Sequence, residues 1–491
     1  MGKPKKNVQY TSPYTLEGRI PMSQALPLGM QHVLAMFVGN LTPILVLSSL
    51  CGIESGGPLQ IALLQNAMLV AGIVTFFQLY PLGFIGSGLP IVMLTAAGFL
   101  GVFGSVVATM GGSIEAYGAL LGASLIGGIV EAGLGFFLKP MQRFFPPVVI
   151  GTVVLSIGLS LLNVGINSFG GGQGAADFGS VENVCLALVV LIVILAFKHF
   201  TKGVTSYSAI LFGIVVGYIL AGIMSVVLPT TISVTDPATG VVTEVTKSWV
   251  LNWDKVAQAS WFSLPKLMPV KIVFDMRAIL PITIMFVVTT VITMGNVAAV
   301  ANGGLGRNPT AKETLGGITC DGVGSAFAVL FGVLPNTSAS QNAGLVAMTK
   351  AVNKFGIATG AIFLIICGFL PKLVALISIM PQSVLGGASA MLFASISVSG
   401  MQIISKSRFT PRAFTIVAVA IGVGYGVGAN SAVLAGLPPV VSLIFGGSGV
   451  VPAAIVATIL NIVLPKEKED LAADEAERQA NEAANAAAQK K

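Results

Sequence analysis

From residue 29 onward the chain is built of long apolar runs separated by short polar breaks, with no alternating or one-faced pattern of a water-exposed domain. A helix that crosses hydrocarbon needs about 20 apolar residues. Runs of that order recur at 29–51, 59–80, 84–105, 115–138, 145–166, 181–199, 204–228, 277–300, 314–332, 334–351, 356–377, 381–403, 411–429 and 437–464. The pattern predicts an all-α polytopic membrane protein of fourteen transmembrane segments. Residues 1–28 form a polar N-terminal segment, 229–276 the single long connection, and 466–491 a charged tail. Because residues 1–20 are polar and the first run continues into a full span, no cleavable signal peptide is expected.

Two of the fourteen runs cannot be ordinary helix. The third opens with Gly83-Phe84-Ile85-Gly86-Ser87-Gly88-Leu89-Pro90, and the tenth reads Val333-Leu334-Pro335-Asn336-Thr337-Ser338-Ala339-Ser340-Gln341-Asn342. Unpaired backbone in lipid costs several kcal/mol per group, so irregular chain at membrane depth survives only where protein or a water-filled cavity covers it. The two irregular runs stand third in the first seven and third in the second seven. That placement predicts 7+7 inverted repeats with broken helices meeting at a binding site near the midplane. The polar run Asn336 to Asn342 carries no formal charge and suits a flat, neutral or weakly acidic heterocycle.

Composition narrows the class further. Of 491 residues, 54% are hydrophobic and only 9% charged, where soluble domains carry about a quarter charged. The net charge of +7 is a topology signal rather than a nucleic-acid footprint. With a cytoplasmic N-terminus, Lys3, Lys5, Lys6, Arg19, Lys139, Arg143, Lys198, Lys202, Arg307, Lys312, Lys350, Lys354, Lys406, Arg408 and Arg412 all fall inside, which predicts an even number of spans and both termini in the cytoplasm. Cys51, Cys185, Cys320 and Cys367 have no paired spacing, and His32 and His199 are the only histidines, so no disulfide framework, metal centre or nucleophile–base pair is indicated. No enzyme activity is expected. Trp249, Trp253 and Trp261 all lie in the long connection and read as interfacial anchors.

Ionisable groups inside a membrane are costly and usually functional. Of eleven carboxylates between residues 21 and 465, only Glu131 and Asp321 fall well inside apolar runs. Both are candidates for proton or cation coupling; Asp321 reads as the coupling group, and Glu131 more readily as a hydrogen-bonded structural acid. Thr289, Thr293 and Asn296 share one face of the eighth run.

At Gln341-Asn342-Ala343-Gly344-Leu345-Val346-Ala347-Met348-Thr349-Lys350 the chain resembles the signature of the nucleobase-ascorbate transporter family, the xanthine/uracil permeases. Gln31-His32, Gly86-Ser87-Gly88-Leu89-Pro90, Gly316-Gly317 and Asp321-Gly322 are similar to further family features in the same order. The resemblance implies a core domain from 29–138 and 277–377, a gate domain from 139–228 and 378–465, and short strands in segments 3 and 10 beside the substrate. It also implies a homodimer and proton- or sodium-coupled uptake of a nucleobase, with no cofactor beyond the coupling ion. Carried onto this chain, the substrate contacts would be Gln341, Asn342, Ser340, Ala339, Ala96, Ala97, Thr293 and Asn296, and the coupling residues Asp321 and His32. Gln341, where uracil carriers tend to have Glu, implies a purine, xanthine or urate first, because an amide both donates and accepts along an oxopurine edge. Two positions depart from the family pattern. Ile292 stands where members carry a substrate-binding Glu, and Ala97 where they often present an aromatic. These keep open a carrier of uracil or another small organic anion on the same fold, coupled or not.

Overall fold

The computed structural model describes residues 10–137, 146–172, 175–202, 204–207, 209–235, 242–406, 410–438, 441, 445 and 449–465. Lys3, Lys5, Lys6, Lys139, Arg143, Arg408, part of the fourteenth apolar run and the charged tail lie outside the described residues. The chain is a mostly helical, multi-pass membrane protein. Among the described residues nine helices have the length and hydropathy to cross a membrane, and a bent pair makes a tenth.

In chain order the helices are α1 (Met22–Leu50), α2 (Pro58–Leu79), α3 (Leu100–Thr109), α4 (Ile114–Leu134), α5 (Pro147–Phe169), α6 (Val181–Phe200) and α7 (Ala209–Val227). After the long connection come α8 (Met276–Ala299), α9 (Ala311–Leu330), α10 (Ser340–Thr349), α11 (Lys354–Cys367), α12 (Pro371–Ser378), α13 (Gln382–Lys406), α14 (Pro411–Ala429) and α15 (Val450–Val463). Their starts follow local chemistry. Ser113, Ser180, Asn353 and Thr410 cap α4, α6, α11 and α14 through side-chain oxygens, while Thr310 and Glu313 form a reciprocal capping box on α9. Pro58, Pro147 and Pro411 sit at first-turn positions, where a missing N–H costs nothing.

The eleventh apolar run departs from the single span expected of it. It breaks after Cys367, and α12 leaves at 85° to α11. Pro371, at the start of α12, has no N–H and clashes with the preceding turn, so α11 cannot continue through it.

Two strands replace helix in the third and tenth runs, as the family resemblance implies. β1 (Met93–Thr95) and β4 (Asn336–Ser338) pair antiparallel, Met93 opposite Ser338 and Thr95 opposite Asn336. Ala96 N–H to Pro335 O (2.8 Å) and Ala339 N–H to Val92 O (2.9 Å) extend the ladder. α10 starts directly after β4, and α3 follows β1 through a single helical turn, Ala97–Phe99.

The helices pack as two groups. α1, α2, α4, α8, α9 and α11 pack together, with α1, α2, α8 and α9 against the strand pair, and α5, α6, α7, α13, α14 and α15 pack among themselves. The groups meet through apolar contacts such as Ile150, Val291, Ile292, Ile396 and Ile403. α4 and α9 cross closely, because a Cβ on Gly322 would lie 2.4 Å from the Ala132 backbone nitrogen.

The long connection bridges both groups. Its hairpin, β2 (Thr231–Thr235) and β3 (Val242–Thr246), leads to Lys247, which pairs with Glu182 at 2.8 Å, and to Ser248, held by Asp177 and Asn183 beside α6. Further on, Lys255 pairs with Glu54 at 2.8 Å, and Met268 N–H and Val273 N–H donate to Leu330 O and Gly118 O. Trp253 and Trp261 are exposed, consistent with anchoring, but Trp249 is fully buried. It packs inside the main core cluster rather than facing an interface.

Candidate functional site

A two-stranded sheet has two open edges, and inside a membrane each unpaired edge group must find a partner. Here side chains from five surrounding helices supply them. Asn40 of α1 accepts from Thr95 N–H (2.8 Å) and Thr95 Oγ1 (3.1 Å), and Thr75 of α2 accepts from Met93 N–H (2.9 Å). Ser325 of α9 accepts from Asn336 N–H (3.0 Å) and donates to Asn336 O (2.9 Å). Asn296 of α8 donates to Ser338 O (3.0 Å) and Oγ (2.9 Å), and Asn342 of α10 accepts from Val92 N–H (3.0 Å).

The second amide atom of Asn342 lies 2.7 Å from His32 Nδ1. Because Oδ1 takes the Val92 proton, Nδ2 must donate to His32, which places the imidazole proton on Nε2. Asn342, His32 and Val92 are all completely buried. Asn342 therefore ties the start of α10 to α1 and to the strand pair.

Asp321 is also fully buried. Thr293 of α8 donates to its Oδ2 through a short hydrogen bond, and Thr337 of β4 donates to the same oxygen at 3.0 Å. Thr293 Oγ1 lies 3.3 Å from Ser338 Oγ, so the carboxylate is linked to the strand in two ways. Among the described residues Asp321 Oδ1 has no hydrogen-bond partner. One helical turn from Thr293, Thr289 donates to Glu131 Oε1 at 2.9 Å. The three polar residues expected on one face of α8 thus reach Glu131, Asp321 and Ser338 in order.

Gln341 lies in the first turn of α10, half-buried, and its amide nitrogen faces Gly39 of α1. Among the described residues that amide takes no hydrogen-bond partner. Ser340 beside it is half-buried, whereas Ala339, Ala96 and Ala97 are buried around the strand ends. The first N–H groups of a helix have no intrahelical acceptor and carry partial positive charge. The starts of the Ala97–Phe99 turn that leads into α3 and of α10 bring such groups to opposite ends of the strand pair. Ile292 turns toward α5 and α13, packed with Ile150, Ile396 and Ile403, so it offers no polar group to the strands.

Asn40, Thr75 and Ser325 were not singled out by the sequence reading, although each is a polar residue within an apolar run. Their role depends on which helices surround the strands, and nothing in local spacing reveals it.

Two cavities lie near this arrangement. One of about 610 Å³ opens beside the long connection, lined in part by Ser49, Gln60, Ser248, Lys255 and Gln382. A second, of about 50 Å³, lies between α1 and α7 against Phe37, Leu41 and Tyr218. Leu45 and Met380 line both. All four cysteines are free, and no cluster of metal-ligating side chains occurs among the described residues.

A permease family model, that of the xanthine/uracil permeases, matches residues 23–433. A Clostridium perfringens protein named provisionally as a purine permease, CPE0397, is 34% identical over 94% of this chain and 94% of its own. The uric acid transporter UacT of Escherichia coli is 30% identical over 89% of this chain and 85% of its own, and the xanthine permease XanP of the same organism is 27% identical over 93% and 95%. Among solved structures, the transmembrane domain of the cyanobacterial bicarbonate transporter BicA aligns with a TM-score of 0.52 at 14% identity, over 90% of this chain and 98% of that one. That likeness concerns the fold alone.

Proposed function

The chain belongs to the xanthine/uracil permease, or nucleobase-ascorbate transporter, family, and from that premise we propose that it imports a purine nucleobase, xanthine or urate, by ion symport with alternating access. The observation that carries the reading is the unsatisfied amide of Gln341 at the head of α10, next to the strand pair. A carboxamide presents one donor and one acceptor side by side, the complement of the adjacent C=O and N–H groups on an oxopurine edge. The starts of the Ala97–Phe99 turn and of α10 favour the carbonyl oxygens or partial charge of such a ligand. Thr293 and Asn296 enter indirectly, by holding Asp321 and Ser338, and Asp321 is the coupling group for a proton or sodium ion. His32 supports it from the far side of Asn342.

In this proposal the fourteen runs are fourteen spans in two inverted repeats with both termini cytoplasmic, and the protein works as a homodimer. The two packing groups are the core and gate domains. The 610 Å³ cavity is then the outer approach, closed from the interior by Leu45 and Met380. One observation favours a second reading, uptake of uracil or another organic anion. Ile292 leaves no acid on α8, and Ala97 leaves no ring to stack on a base.

The test is uptake of radiolabelled xanthine into cells lacking their own purine permeases, competed by urate, hypoxanthine, guanine and uracil, with Gln341→Glu in parallel. Saturable uptake competed by oxopurines and altered in the variant supports the purine reading. Absence of xanthine uptake from well-expressed protein, with competition by uracil or organic anions instead, supports the second.

A further inference from the structure

Glu131 is a buried acid inside a membrane-spanning helix that the proposed transport cycle leaves unused. It is 1% exposed, on the face of α4 that packs against α8 and α9. Thr289 reaches its Oε1, and one turn along the same stripe of α8 Thr293 reaches Asp321. The backbones of α4 and α9 touch beside both acids, where Ala132 follows Glu131 and Gly322 follows Asp321, so the two acids stand at the same level of the α4–α9 contact.

Among the described residues no cationic side chain balances them. Of the elements packed against α4, α9 brings Asp321 and Cys320 to this level and carries Lys312 and Glu313 only in its first turn. α8 brings Thr289 and Thr290 and holds its single charged residue, Arg277, at its opposite end, while α3 has no ionisable side chain. On α4 itself Glu115 and Tyr117 stand about four turns away, with Tyr117 bonded to Gly332 O. Two carboxylates in a dry interior without a counter-charge cannot both be ionised. Asp321 Oδ1, buried and without a hydrogen-bond partner among the described residues, leaves room on the pair for one more proton.

We propose that Glu131 is a second coupling residue, sharing one transported proton with Asp321 across the Thr289–Thr293 stripe of α8. The proton enters on one face, is held by the pair while substrate is bound, and leaves to water on the other face, so each cycle moves one proton and breaks no other bond. The inference rests on the symport reading above and adds the identity of the ion and a second carrier for it. It also suggests how this chain manages without an acid at Ile292: α4 supplies one to the same helix, one turn away.

The test uses the full-length protein in proteoliposomes with radiolabelled xanthine and, separately, urate. With an inward gradient of one pH unit, one-proton symport sustains about tenfold accumulation. For Glu131→Gln, accumulation should fall to about onefold while counterflow exchange of labelled for unlabelled base, which needs no net proton movement, persists. Thr289→Val leaves both acids in place and should reduce accumulation more than counterflow, which provides a check if the Gln variant folds poorly. Wild-type accumulation in Glu131→Gln would overturn the inference and leave symport standing. Parallel loss of accumulation and counterflow in both variants would assign Glu131 to structure. If wild-type protein transports base without responding to the gradient, or transports neither base, the symport or purine reading itself fails and this inference falls with it.

Discussion

Asn342 and its neighbour Gln341 stand side by side in the signature motif, yet the fold gives them different work, and replacing each by alanine separates the two. Asn342→Ala removes the acceptor of Val92 N–H and the donor to His32 Nδ1, both in completely buried surroundings. Each buried polar group left without a partner costs about 1–3 kcal/mol, so the pair amounts to about 2–6 kcal/mol of fold stability. Gln341→Ala removes a half-buried amide that bonds to nothing among the described residues, so its effect on stability should be small, within about 0.5 kcal/mol. The assay is a thermal melt of detergent-purified protein followed by size-exclusion fluorescence, paired with initial rates of base uptake normalised to protein in the membrane. Asn342→Ala should melt several degrees lower and show reduced protein at the surface. Gln341→Ala should melt like the wild type and lose uptake through a raised KM. Asn342→Asp keeps an acceptor for Val92 N–H and should recover part of the lost stability. An unchanged melting temperature for Asn342→Ala, with only KM raised, would refute the argument and return Asn342 to direct contact with the base.

Close packing and charge give two further tests. Gly316→Ala would place a Cβ 2.0 Å from the carbonyl oxygen of Gly86 and should abolish accumulation of folded protein, whereas Gly133→Ala, with nothing within 4 Å, should express normally on an immunoblot. Lys247, next after β3, pairs with Glu182 of α6 at 2.8 Å and so ties the hairpin to that helix. Hydrogen exchange of the β2–β3 hairpin at neutral pH should therefore rise in Lys247→Ala above the wild type. Equal exchange in both proteins at neutral pH would mean that the pair does not tether the hairpin.

The membrane class, the helix positions and the two irregular runs were legible in the sequence because they rest on local properties: apolar length, and glycine or proline where helix fails. The break at Pro371 was legible too in principle, but a continuous apolar run masked it, and a run-length argument merges two helices whenever the breaker sits among apolar neighbours. Trp249 misled for a related reason. Residue type alone assigns tryptophan to an interface, while its burial depends on how the long connection folds back over α6. The stripe Thr289, Thr293 and Asn296 was readable from helical spacing, but its targets on α4, α9 and β4 come from three other elements and exist only in the packed fold.

That distinction decides how the polar residues of the motif should be interpreted. A chain that introduces strands at membrane depth must first satisfy the strands, and here Asn40, Thr75, Asn296, Ser325 and Asn342 are engaged by backbone groups of β1, β4 or the residues adjoining them. Their amides and hydroxyls are consumed before any substrate arrives, so their loss acts through the shape of the site. Other polar groups stay unengaged among the described residues: the Gln341 amide, Asp321 Oδ1, His32 Nε2, the Asn336 side-chain amide and the open N–H groups at the heads of the Ala97–Phe99 turn and of α10. Under the proposed function, a base that fails to match Gln341 leaves a desolvated amide behind, at a cost of about 1–3 kcal/mol. The polar density of the motif therefore overstates the number of residues that contact substrate. The strand pair explains the excess.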